Sequence, residues 1–215
     1  MISYLQRFSS IKHLLGHSII QFGPIRSGST LVFNILREVF PDQHIQKTHT
    51  LKGIYLKRPM VITYRHPLDS IASSIQRYGL TPTDEIVAQQ IQEFNSNGFS
   101  DLVKIKDPTK VLMLRYEDFR YDLDVVFNGI ESFFDIKITD KKRDDLSKFY
   151  NIESVKKMTE SKKTFSDHDR ITHWHGKHVS KYNGGVNYHK EFFSQSQLDQ
   201  LLEIYSEFLV ANGYS

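Results

Sequence analysis

The stretch Ile19-Ile20-Gln21-Phe22-Gly23-Pro24-Ile25-Arg26-Ser27-Gly28-Ser29-Thr30 joins a short apolar run to a polar turn bounded by glycines. The apolar run reads as a buried strand. Beyond the turn, Leu31, Ile35, Leu36 and Val39 recur at helical spacing until Pro41 stops them, so Ser29 to Phe40 reads as a helix. Strand, glycine turn and helix in this order place the free N–H groups of a helix start around an anion. The turn fits the frame G-x-x-x-x-G-K-[ST] at both glycines and at Thr30, but Ser29 stands where that frame has its lysine. The cation has moved to Arg26, inside the loop, where a guanidinium offers a planar fork to oxyanions. An ordinary strand-to-helix turn is the alternative reading.

Outward from this loop the same alternation repeats. Met60-Val61-Ile62-Thr63-Tyr64 reads as a second strand, and Pro67 sits where a first-turn proline is tolerated. Leu68, Ile71, Ala72 and Ile75 then trace one helix face up to Gly79. Asp84 to Asn97 reads as a third helix, Lys110 to Leu114 as a third strand, and a helix follows near Asp122 to Phe134. Ser194 to Gly213 closes the chain as an amphipathic helix. Strands alternating with helices predict an α/β fold with a mainly parallel central sheet, as one domain over residues 1–215.

With 215 residues, 39% hydrophobic and 25% charged, the chain fits neither a disordered segment nor a membrane-spanning one. The absence of cysteine excludes disulfides, a thiol nucleophile, iron–sulfur clusters and thiolate zinc sites. Polar residues interrupt the first eight positions before a secretory signal core accumulates, and no run approaches a membrane span, so a cytoplasmic location is expected. Net charge is +3, but residues 141–190 hold 12 Lys/Arg against 6 Asp/Glu, leaving the remainder slightly acidic. That asymmetry suits an anionic partner, although a solvated basic face explains it equally.

The loop Gly23 to Leu31 resembles the 5′-phosphosulfate loop of sulfotransferases that use 3′-phosphoadenosine 5′-phosphosulfate (PAPS). Four further segments follow in the order of that family. Val61 to Ser73 resembles its 3′-phosphate segment, an Arg at a strand end with a Ser eight residues on: Arg65 and Ser73. The alternatives are a salt bridge from Arg65 to Asp69 and a neutral helix position for Ser73. Gln46-Lys47-Thr48-His49-Thr50 resembles the segment supplying the catalytic base. A histidine suits proton abstraction near neutral pH, and Lys47 with Arg26 suits charge on a departing phosphate. Leu114-Arg115-Tyr116-Glu117-Asp118 resembles a strand end whose tyrosine lies near adenine, and Ser154 is a weaker match on the adenine side. His178 to Gly185 resembles the glycine-containing segment over the 3′-phosphate, with Ser180 and Lys181 at its basic pair.

The resemblance spans residues 19–212 and implies a three-layer, P-loop NTPase-like fold and a small, microbial-type sulfotransferase. It assigns Arg26, Ser27, Gly28, Ser29 and Thr30 to the phosphosulfate, Arg65 and Ser73 to the 3′-phosphate, Tyr116 to adenine, and His49, Lys47 and Arg26 to catalysis. Transfer to an acceptor hydroxyl or amine would leave adenosine 3′,5′-bisphosphate (PAP). The acceptor is expected to be a small molecule, carbohydrate or lipid, with no nucleic-acid partner and no metal; oligomeric state is open. Leu31 departs from the tryptophan many relatives carry there. Two other functions remain: a P-loop small-molecule kinase, which lacks its usual lysine here, and a polyanion-binding module built on the basic segment. His173-Trp174-His175 with His178 could be imagined as metal ligands, but no companion carboxylate motif accompanies them. A lid over residues 171–181, with Trp174 touching a ligand, is the more economical expectation for that region.

Overall fold

Four five-residue strands centre the fold in the computed structural model, which describes residues 18–105, 110–162, 167–176, 179 and 184–214. They are β1 (Ser18–Phe22), β2 (His44–Thr48), β3 (Met60–Tyr64) and β4 (Val111–Arg115), in the order β2-β1-β3-β4. Every pairing is parallel, with Ile20 opposite both Gln46 and Met60, and Ile62 opposite Met113. The order reverses at β1, so the crevice at the carboxyl ends of β1 and β3 is where an open parallel sheet takes a ligand.

The central strands are apolar because both faces are covered: β1 is buried at all five positions and β3 at four. Ile20, Phe22, Met60, Ile62 and Val111 pack against α2 (Pro67–Tyr78), α3 (Asp84–Phe94) and α7 (Gln195–Ala211). Ile19, Val61 and Leu114 point the other way, onto α1 (Ser29–Val39), α4 (Asp124–Phe134), α5 (Asp140–Tyr150) and α6 (Ile152–Glu160). The result is three layers, helix, sheet and helix.

Local chemistry sets the boundaries. Pro67 opens α2, and Gly79, at φ 70°, closes it by donating to Gln76 and Ile75 carbonyls. Ser194 and Gln197 form a capping box at the start of α7. Three differences from the sequence reading have physical causes. Strand β2 was not expected, because this edge strand buries only Ile45 and so carries no apolar run. Helices α5 and α6 were not expected either; α5 is strongly polar and buries only Leu146 and Tyr150. Helix α3 ends at Phe94 rather than Asn97, giving way to a π-type turn over Asn95–Phe99. There Ile25 donates to the Asn97 carbonyl at 3.2 Å, and a Cβ on Gly98 would stand 2.8 Å from Pro24 Cα. The helix unwinds where it meets the Gly23–Thr30 loop. Among the described residues no helix is long and apolar enough to cross a membrane.

Candidate functional site

The carboxyl ends of the four strands deliver the loop at Gly23, His49, Arg65 and Tyr116 to one edge of the sheet. A cavity of about 970 Å³ opens there, lined by residues that include Arg26, Gly28, Ser29, Thr30, Lys47, His49, Arg65, Ser73 and Tyr116.

The loop's shape depends on close packing. A Cβ on Gly23 would lie 2.4 Å from Thr63 Oγ1, and one on Gly28, at φ 79°, would lie 2.8 Å from the rings of Tyr116 and Phe119. Arg26 also adopts a left-handed φ of 63°, which turns its backbone around the cavity. Ser27 is fully buried, and its hydroxyl donates to the Pro24 carbonyl at 2.7 Å and pairs with Thr63 Oγ1 at 2.9 Å. Its side chain therefore braces the loop and is not part of the cavity wall, so the expected contact from Ser27 is restricted to its backbone N–H. Ser29 and Thr30, in the first turn of α1, do line the cavity.

Arg26 Nε donates to Ser73 Oγ at 3.0 Å, which ties the loop to α2. Arg65 is 4% exposed; it donates to the carbonyls of Gly185 at 2.5 Å and Arg26 at 3.4 Å, and its guanidinium lies 4.5 Å from the Tyr116 ring centroid. The salt bridge to Asp69, the alternative reading of Arg65, is a 4.0 Å contact. Asp69 is held more closely by His189 Nδ1 at 2.6 Å and by the backbone N–H groups of Asn187 and His189 at 2.8 and 3.1 Å. Through that grip the 184–189 segment is fastened over Arg65. Tyr116 and Arg120 both donate to the Gly184 carbonyl, at 3.1 and 3.3 Å.

At the end of β2, His49 Nδ1 lies 2.6 Å from the Gly23 carbonyl, and Lys47 Nζ lies 3.3 Å from His49 Nε2. A carbonyl only accepts, so Nδ1 carries the hydrogen and Nε2 presents its lone pair. Burial, then the Lys47 charge, lower the His49 pKa to about 4. Burial, then Arg77, lower Lys47 to about 8. Burial, then Arg65, lower Arg26 to about 10. Cations thus crowd one another inside a partly desolvated cavity, the arrangement that a multiply charged anion relieves.

Several expected positions fall elsewhere. Ser180 and Lys181 lie outside the described residues, as do His178 and part of the anticipated lid. Its described residues are Ile171–Gly176 and Val179; there the Thr172 carbonyl accepts from Asn34 Nδ2 at 2.8 Å, and the His173 ring meets Phe33 edge-on at 5.0 Å. Trp174 is 5% exposed and belongs to the core on the α1 side while also bordering the cavity. Ser154 does not line the cavity; its hydroxyl donates to Lys148, whereas its neighbours Asn151, Ile152 and Val155 do line it. Among the described residues no group of three His, Asp or Glu side chains is placed to hold a metal.

Sequence reading missed Arg77 and Arg120 on the cavity wall, and named His175 only as an imagined metal ligand or part of a lid. Both arginines carry a recoverable signal, because Arg77 is four residues beyond Ser73 and Arg120 four beyond Tyr116, on the same helical faces. The meeting of His175 with Arg77 at 3.2 Å had no local signal, since tertiary packing alone brings them together.

The profile described as "Sulfotransferase domain" matches residues 57–213, and the chain belongs to this family. The Gly23–Thr30 loop and Lys47–His49 precede the matched span. No curated protein shows significant sequence similarity to the chain. Among solved structures, mouse sulfotransferase SULT7A1 complexed with PAP superposes with a TM-score of 0.66 at 15% identity, covering 90% of this chain and 84% of that one. Retinol dehydratase in complex with androsterone and the inactive cofactor PAP gives 0.64 at 15%, covering 90% and 81%. Its complex with retinol and PAP gives 0.60 at 14%, with the same coverage. These likenesses establish the three-layer sulfotransferase fold.

Proposed function

We propose that the chain transfers the sulfuryl group of PAPS to an acceptor hydroxyl or amine, with His49 as the base. The observation that carries this reading is the orientation of His49. Its Nδ1 is occupied by Gly23 of the loop, which leaves Nε2, here 3.3 Å from Lys47 Nζ, as the acceptor nitrogen of a ring that lines the cavity with Arg26 and Lys47.

The residues fit PAPS, which enters as a substrate. Arg65 Nε is buried without a hydrogen-bond partner among the described residues, so the cradle keeps an unused donor. In the PAP complexes of the structural neighbours the nucleotide is the one this reaction would leave behind. Arg26 and the backbone of residues 27–30 would hold the 5′-phosphosulfate, and Arg65 with Ser73 the 3′-phosphate. Ser180 and Lys181 are carried as further 3′-phosphate contacts on the family resemblance, and Tyr116 as the adenine neighbour.

In the transfer, the acceptor oxygen forms its bond to sulfur as the bond from sulfur to the 5′-phosphate oxygen breaks. His49 Nε2 takes the acceptor proton. Lys47 and Arg26 offset the charge that collects on the departing bisphosphate. Lys47, which donates to His49 Nε2 in this structure, would turn to the phosphate and release the lone pair for the acceptor.

The test is transfer of label from PAPS to an acceptor panel, beside calorimetry with PAP. His49→Ala should lower turnover by about 10²- to 10⁴-fold while PAP affinity is kept. Wild-type-like turnover in that variant would exclude His49 as the base. Binding of ATP–Mg²⁺ with no affinity for PAP would overturn the whole reading in favour of a kinase.

A further inference from the structure

One wall of the cavity is built by the end of α3 and the turn after it, which abut both the Gly23–Thr30 loop and His49. The Asn97 carbonyl accepts from Ile25 at 3.2 Å, and a Cβ on Gly98 would stand 3.1 Å from the His49 carbonyl. Glu93 lies four residues back from Asn97, in the last turn of α3, and both border the cavity together with Tyr78 at the end of α2.

The Glu93 carboxylate is held in place by its neighbours. Oε1 accepts from Tyr78 OH at 3.2 Å and Oε2 from Gln90 Nε2 at 2.8 Å, and Gln90 is itself buried. Among the described residues each oxygen takes that one hydrogen bond, and a carboxylate oxygen has room for two. Asn97 donates through Nδ2 to the Glu93 carbonyl at 2.8 Å, so its Oδ1 is a further acceptor on the same wall. The half-exposed Tyr78 adds the face of a ring, and the charge of Arg77 offsets that of Glu93 in part. A wall rich in acceptors is complemented by a molecule rich in donors. A hydrocarbon skeleton laid over Glu93 would strip water from its carboxylate and return nothing. Two neighbouring hydroxyls would instead reach one oxygen each, in charge-assisted hydrogen bonds.

We infer that the acceptor is a polyhydroxylated ring, a sugar or glycoside, held by adjacent hydroxyls on Glu93 while another hydroxyl is presented to His49. The inference rests on the sulfuryl-transfer reading above and names its substrate class. Glu93 is then a specificity-determining residue, and Tyr78 and Gln90 position it.

Matched acceptors test this with the full chain, labelled PAPS and calorimetry on the PAP-loaded protein. The methyl glycosides of glucose, galactose and mannose are compared with tetrahydropyran-2-methanol, which keeps the ring and primary hydroxyl but lacks the ring hydroxyls. The 2-aminomethyl counterpart of that alcohol is the amine arm. At least one glycoside should bind, and its kcat/KM should exceed that of tetrahydropyran-2-methanol at least about tenfold. Glu93→Gln should raise the KM of that glycoside about 10- to 100-fold, raise that of tetrahydropyran-2-methanol far less, and leave PAP affinity unchanged. Tyr78→Phe, at an exposed position, should give a smaller rise in the same KM with kcat kept. An unchanged glycoside KM in Glu93→Gln, or an equal loss for both kinds of acceptor, would overturn the inference. So would a preference for the amine or the hydroxyl-poor ring, or failure of all three glycosides to bind the PAP-loaded protein. Absence of PAP binding in the unmodified protein would sink the sulfuryl-transfer reading itself, a distinguishable result.

Discussion

His49 and Lys47 are two residues apart in sequence, and their chemistry comes from different neighbours. The Gly23 carbonyl sets the tautomer of His49, burial and Lys47 hold its pKa at about 4, and burial with Arg77 holds Lys47 at about 8. The base form of His49 exists above its pKa, and the charged form of Lys47 exists below its own. The profile of kcat/KM for PAPS, which follows the free enzyme, should therefore fall on the acid side near pH 4 and on the alkaline side near pH 8. Lys47→Arg should move the alkaline limb upward and leave the acid limb in place. An acid limb at the ordinary histidine value near 6.5 would show that His49 is not desolvated as described. The Lys47-Thr48-His49 segment was picked out by its resemblance to the family; the tautomer was not, because its partner lies 26 residues away.

At the scale of elements, the site is a set of strand ends clasped by glycine-permitted contacts. Gly28→Ala would combine a left-handed φ with a Cβ pressed against Tyr116 and Phe119, at an expected cost of about 1–3 kcal/mol in denaturant unfolding and a parallel loss of PAP affinity. The second clasp is Asp69, whose grip on Asn187 and His189 positions the carbonyls of Gly184 and Gly185 for Tyr116, Arg120 and Arg65. Asp69 is fully buried, and hydrogen bonds from His189 lower its pKa despite the opposing effect of burial. The sign follows: its stabilisation is present above the unfolded carboxylate value near 3.8 and is lost as pH falls through the lower folded value. Asp69→Ala should cost about 3–5 kcal/mol, because it leaves buried donors unpaired. Asp69→Asn, which still accepts hydrogen bonds, should cost less stability and still weaken PAP binding through Arg65. Helical spacing made α2 readable, whereas the polar edge strand β2 and the charged helix α5 gave no apolar period to read.

For the molecule as a whole, the cation-lined cavity lies at the switch point of a wholly parallel sheet, and both helix layers contribute walls to it. PAP that binds only the folded chain should stabilise it by about 2.7 kcal/mol at a hundredfold excess over its Kd, read as a rise in Tm. That rise should shrink as salt increases, because buried and partly buried cations attract the ligand electrostatically. A salt-insensitive shift would argue against a polyanionic ligand. The cations of the proposed site, Arg26, Lys47 and Arg65, all lie outside the basic excess in residues 141–190.

The glycine loop and the α/β alternation were readable along the chain, because each depends on neighbours near in sequence, while the eight-residue spacing from Arg65 to Ser73 came with the family resemblance. Backbone freedom at a glycine, the period of a helix and the stop at a proline are local properties. Four other features were set only when the sheet closed. They are the turning of Ser27 away from the cavity, the tautomer of His49, the grip of Asp69 on a segment 118 residues later, and the meeting of Arg77 with His175 98 residues on. Those contacts cost chain entropy to form and are chosen by packing across layers, so no local pattern records them.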